Sequence, residues 1–322
     1  MKKNWLALVA VVALLGPIQL TRAQSFPGKP VHIVNPYAAG GSGDIVARIL
    51  ADSLADQWGV PVVVEHRPGA GGLVGTLHVQ RSPGDGYTLL LASPSFVMSP
   101  MLRPEARYDP ARDFVAVARV ATSPLVVAVN ESSEARTLKD LLDLARKAPG
   151  RLTYAAVGPG AMPHLVGEMV RLDAKVDWVY VPYQGGAPAV TAVLGGHVSA
   201  VVANYAELQP FIATGKVRAL AVGSTERLDA LPRVPTLAER GHDAIEGTIW
   251  FGLVAPGGTP REVIQRIAAT VRRALESPAV HDKLLEHGLL PVENSPEEFA
   301  AFLGTQGPRF EKVIRRAGIK VD

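Results

Sequence analysis

The chain has 322 residues, 48% hydrophobic and 20% charged, with 33 basic and 30 acidic side chains and no cysteine. This excludes disulfides, thiolate metal sites, a cysteine nucleophile and a lipidated N-terminal cysteine, and it leaves ample apolar material for one or two cores. Lys2, Lys3 and Arg22 supply the whole basic excess, so beyond residue 23 base and acid balance at 30 each and no basic nucleic-acid footprint remains.

Residues 1–23 read as a secretory leader, cut after Ala23. "MKKNW" is a basic start, "LALVAVVALLGPI" is an apolar run shorter than the roughly 20 residues a membrane span needs, and Thr21 and Ala23 make a small-residue cleavage site. An exported chain without cysteine, and with no later run of transmembrane length, fits a periplasm and relies on its core for stability.

Short apolar runs follow, at 31–34 ("VHIV"), 61–65, 87–92, 124–129, 152–157, 178–183, 198–203, 218–223 and 250–255. Most are continuous runs of the buried, parallel-sheet kind. Helical stripes separate them, such as Ile45, Val46, Ile49, Leu50 and Leu54. The alternation predicts an α/β protein. "TPRE" (259–262), "SPEE" (295–298) and, more weakly, "TLKD" (137–140) mark helix starts. From about residue 259 the pattern is helical, with two helices before a last "GPRFEKVIRRAG" segment. Nine strands exceed what one sheet usually holds, which predicts two domains.

The loop "PYAAGGSGDIVAR" (36–48) joins the first strand to a helix beginning near Gly43. It is not a P-loop, because Asp44 stands where lysine is required; it lacks the third glycine of a dinucleotide fingerprint; and it misses a nucleophile elbow by one residue. What remains is a helix N-terminus with unpaired N–H groups, suited to a carboxylate, in which Ser42 caps the helix or donates to a ligand. Taken alone, the loop reads rather as a tight strand-to-helix turn. Related loops, "HRPGAGG" (66–72) and "VGPGAMPH" (157–164), follow the second and fifth strands, and carboxyl ends of parallel strands are where α/β folds bind ligands.

"PYAAGGSGDIVAR", "VVVEHRPGAGG", "GDGYTLLLAS", "YDPARDF", "VGPGAMPHLVGE", "VPYQGGAPAV", "LGGHVSAVVAN" and "FGLVAPGGTP" together resemble, in this order from residue 26 onward, the tripartite tricarboxylate transporter substrate-binding proteins, or Bug receptors. The resemblance implies a two-domain periplasmic binding protein clamshell. Each domain is a mainly parallel sheet flanked by helices, residues 24–124 with 247–322 forming one and 125–246 the other. It implies a monomer that closes on a small carboxylate and delivers it to a membrane permease, or a sensor that docks on a membrane signalling protein, and not an enzyme.

Carried over by position, the resemblance implies a site of Tyr37, Ala39, Gly41, Ser42, Asp44, Ser93, Gly158, Gly160, Ala161, His164, Tyr183 and Asn204. Tyr37 and Tyr183 would wall the pocket, and Asp44 would organise loop amides. His164 reads either as a structural loop holder or as a ligand contact. The histidines form no His-x-His or His-Glu-x-x-His pair, so neither a metal nor a cofactor is expected. Many relatives carry polar residues where this chain has Ala156, Ala161 and Ala203. Unmatched polar groups on a ligand would be costly there, which implies a mono- or dicarboxylate with an apolar or aromatic body.

Overall fold

The computed structural model describes residues 26–317; the expected leader lies outside the described residues. Strand β1 (Val31–Asn35), helix α1 (Ser42–Trp58), strand β2 (Val62–His66), helix α2 (Leu73–Gln80), strand β3 (Thr88–Ala92) and helix α3 (Pro94–Leu102) build the first half. β1 runs parallel to β2 and β3, pairing Val31 with Val62 and His32 with Thr88. α1 buries Val46, Ala47, Leu50, Ala51 and Leu54, one stripe at helical spacing. Each fully buried leucine contributes about 1.5–3 kcal/mol of apolar transfer, before entropy is set against it.

Strand β4 (Phe114–Asn130) leads onward into α4 (Leu138–Lys147), β5 (Thr153–Val157), α5 (Met162–Asp173), β6 (Val179–Tyr183), α6 (Gly186–Leu194), β7 (Ala200–Asn204), α7 (Tyr205–Ala213) and β8 (Val217–Val222). Here β5 is the central parallel strand, flanked by β6 and β7. The chain returns through β9 (Thr248–Pro256) and ends in α8 (Arg261–Glu276), α9 (Pro278–Glu286), β10 (Leu290–Pro291) and α10 (Pro296–Ala317).

β4 ties the halves together. Its residues 114–124 pair antiparallel with β9, and residues 125–130 pair antiparallel with β7 and β8. The change of partner falls at Pro124 and Leu125, opposite Gly247 and Thr248. There Leu125 N–H donates to Gly247 O, Gly247 N–H to Gly223 O and Gly223 N–H to Leu125 O, each at 2.7 Å. The expected parallel ladders are those of β1–β3 and β5–β7. The strands that cross between the halves run antiparallel, because each must enter one half as it leaves the other.

The apolar run at 124–129 is only the second part of β4. Its first part, "FVAVARVATS", pairs with β9 and β10. The helix starts at 137 and 295 carry the expected reciprocal caps. At 259 the expected cap is absent: Thr259 Oγ1 donates backward to Pro256 O, and the helix begins two residues later. α10 continues through Gly307 and Pro308, packs on α3 of one half and α5 of the other, and seats Phe299 edge-on against Trp250.

Candidate functional site

At the end of β1, Gly40 takes φ +81° and α1 begins two residues later. The Gly40 N–H donates to Asp44 Oδ2 at 2.9 Å, while Arg48 Nε at 3.0 Å and His66 Nε2 at 2.7 Å meet the same carboxylate. Burial pushes the Asp44 carboxyl up, but the Gly40 N–H, Arg48 and His66 outweigh it and hold its pKa below the usual carboxylate value. Asp44 therefore fixes the loop from behind, as an ionised acceptor.

At the end of β5 the same geometry recurs. Gly160 takes φ +80°, α5 begins two residues later, and the Gly160 N–H donates to His164 Nδ1 at 3.1 Å. The imidazole stacks on Tyr180 with ring centroids 4.0 Å apart. Burial lowers its pKa to about 4, so it is the neutral ring that accepts.

Between these loops lies a cavity of about 30 Å³, room for a water or two. The N-terminal ends of α1, α3, α5, α6 and α7 converge on it, at Ser42, Ser93 to Ser95, Ala161 to Pro163, Gly186, and Asn204 with Glu207. Val157, Met162, Ile249 and Phe251 form its apolar wall, and among the described residues no lysine, arginine or histidine lines it. A second cavity of about 210 Å³ adjoins it, sharing Tyr37 and Val157 and lined also by residues 69–72, Gly158, Pro159 and Tyr183.

Three hydroxyls form a cluster at the first cavity. Tyr37 OH lies 2.8 Å from Ser93 Oγ and bonds Ser95 Oγ, and the two serine oxygens are 3.2 Å apart. Burial raises the Tyr37 pKa, so the phenol keeps its proton. Opposite stands Glu207, 8% exposed. Its Oε1 accepts from Ser42 N–H at 2.9 Å and from Ser42 Oγ at 3.0 Å, and its Oε2 accepts from Asn204 N–H at 3.2 Å. Asn204 Nδ2 donates to Ser42 Oγ at 2.7 Å. Burial raises the Glu207 pKa against these donors. Gly186 lies so close that a Cβ there would fall 1.9 Å from Glu207 Oε2.

Of the expected site residues, Tyr37, Gly41, Ser42, Ser93, Ala161 and Asn204 line the first cavity, and Gly158 and Tyr183 line the second. Ala39 is exposed on the surface, while Asp44, Gly160 and His164 stand behind the loops. Three corrections follow. Strand alternation turns Val157 to the cavity and Ala156 into the core, and Ala203 is buried against other sheet residues, so only Ala161 of the three alanines presents its methyl group to the cavity. The amides of Gly158, Gly160 and Ala161 donate to Tyr183 O, His164 Nδ1 and Gly158 O, so this loop is no open nest; the donors at its end are those of the first turn of α5. Finally, Glu207 is not among the expected residues, although Asn204-x-x-Glu207 is a capping-box spacing that marks it as the acidic residue of a helix start.

The chain is similar over nearly its whole length to known proteins. A Pseudomonas sp. protein from the tcbD-tcbE intergenic region is 36% identical over 311 residues, 95% of this chain and 93% of that protein. BugT of Bordetella pertussis is 34% identical, covering 97% of this chain and 96% of its own. Among solved structures, periplasmic binding protein BugD superposes with a TM-score of 0.88 at 33% identity, covering 92% of this chain and 99% of its own. An R. palustris protein solved with adipate gives 0.88 at 32% identity, with 92% and 99% covered. MatC from Rhodopseudomonas palustris, solved with bound malate, gives 0.85 at 29% identity, with 90% and 100% covered. The fold is therefore that of the two-domain periplasmic binding proteins. Residues 46–319 match the tripartite tricarboxylate transporter family receptor, and the chain belongs to that family.

Proposed function

We propose that the chain is a periplasmic receptor, exported by residues 1–23, that captures a small carboxylate between two domains and delivers it to the permease of a tripartite transporter. The domains are residues 24–124 with 247–322, and residues 125–246. One observation carries the reading: five helix N-termini converge on one cavity to which, among the described residues, no cationic side chain contributes. Glu207 already takes the Ser42 and Asn204 N–H groups of two of them, α1 and α7; at the others the positive ends of the helix dipoles attract an anion without any basic residue. Adipate and malate in two structural neighbours support a carboxylate as that anion.

The carboxylate meets the hydroxyl cluster of Tyr37, Ser93 and Ser95 from one domain and the first turn of α5 from the other. Its body lies against Val157, Met162, Ile249 and Phe251, which favours an apolar or aromatic ligand, and the cavity widens from its volume of about 30 Å³ to admit it. Contacts to both domains favour the closed form, so ligand shifts the population toward closure about the β4 and β9 crossings. Native mass spectrometry of protein expressed with its leader tests this reading. A co-purified carboxylate, or a carboxylate that raises the melting temperature, is the expected result. Stabilisation by neutral solutes alone would overturn it.

A further inference from the structure

At the N-terminus of α1 a carboxyl group of the chain itself already sits on the donors. It is that of Glu207, brought from α7 in the other half of the molecule, 165 residues away in sequence. It takes the Ser42 N–H and the Ser42 hydroxyl, the two donors that a ligand carboxylate would use there. The pose is tightly built, since Gly186 leaves room for the carboxyl group only because it has no Cβ. The hydrogen bonds at Glu207 run toward it, so its carboxyl oxygens are already committed to donors of the chain itself, while burial raises its pKa above the usual carboxylate value.

We propose that Glu207 is a specificity-determining residue, standing in for one ligand carboxylate and making this receptor select monocarboxylates over dicarboxylates of the same length. The inference rests on the carboxylate-receptor reading above. One carboxylate anchor remains, formed by Tyr37, Ser93, Ser95 and the first turn of α5. A ligand held there directs its far end toward the apolar wall and Glu207. An apolar end fits that surface. A second carboxylate must either displace Glu207 from the Ser42 donors or lie buried beside a carboxyl group that already holds them, and a buried charge left without donors is strongly disfavoured.

Calorimetric titration with matched pairs, hexanoate against adipate and benzoate against terephthalate, tests the assignment on the wild type, Glu207→Ser and Glu207→Gln. The wild type is expected to bind the monoacid of a pair at least roughly tenfold tighter than the diacid. Glu207→Ser frees the Ser42 donors and should erase or reverse that preference. Glu207→Gln keeps the shape and replaces one carboxyl oxygen by an N–H donor, so it should narrow the preference even where the serine variant does not fold. Equal wild-type affinity for both members of a pair, or a preference that neither substitution moves, overturns the inference while leaving a carboxylate receptor standing. If no protein binds any of the four acids but neutral solutes bind, the receptor reading itself falls, and the inference with it.

Discussion

Gly40 and Gly160 occupy corresponding places in the two halves, at φ +81° and +80°, each two residues before a helix and each donating its N–H to the side chain four residues on. The acceptors differ. Asp44 is an ionised carboxylate braced by Arg48 and His66, whereas His164 is a neutral imidazole stacked on Tyr180. Where basic neighbours are at hand, a charged acceptor can be buried; where the surroundings are apolar, a neutral one holds the same turn. The backbone requirement is common to both loops, and each half meets it with the chemistry its packing allows.

The comparison breaks most readily at the glycines. Valine cannot hold φ +80° without strain of order 1–3 kcal/mol, so Gly160→Val should shift the loop and weaken carboxylate binding by roughly a hundredfold while circular dichroism stays native. Unchanged affinity would remove this loop from the ligand's surroundings.

The two acceptors then separate by pH. The folded-state pKa of His164 is depressed from 6.5 to about 4, so the unfolded chain takes up a proton in that interval and the folded chain does not. Its stabilisation is present above pH 6.5 and is lost as pH falls toward 4, on the order of 3 kcal/mol in all. Urea unfolding across this range should show the fall in the wild type and a shallower one in His164→Asn, which keeps an acceptor without titrating; equal slopes would contradict the assignment. Asp44 has its folded pKa lowered as well, but from the carboxylate range. Its contribution is present above the ordinary aspartate pKa and is lost only as pH falls below it, under the His164 window.

Asp44→Ala leaves the Gly40 N–H and the buried side of Arg48 and His66 without their acceptor, which should lower stability by about 1–3 kcal/mol in chemical denaturation. A smaller effect is expected at Arg48, whose side chain is 60% exposed. Arg48→Ala should cost about 0.2–1 kcal/mol and be sensitive to salt. If Arg48→Ala destabilised as much as Asp44→Ala, the buried end of the network would not be what holds the loop.

The sequence makes both glycine loops and most strands legible, because apolar runs and helix caps are local signals. The first part of β4 escapes that reading because "FVAVARVATS" mixes small, charged and half-buried residues, and its partners β9 and β10 lie far along the chain. Ala156 and Ala203 look like cavity residues until strand parity decides which way each Cβ faces. Glu207 is visible as a helix-start residue, yet its reach to Ser42 exists only when the two halves come together. Local chemistry marks where the cavity begins, and tertiary closure determines what lines it.

The most direct test of the account is isothermal titration of refolded, ligand-stripped protein with a broad panel of mono- and dicarboxylates beside neutral amides. The account predicts at least one carboxylate binding at one site per chain, with amides of the same body far weaker. Binding of an amide with no carboxylate bound at all would contradict it.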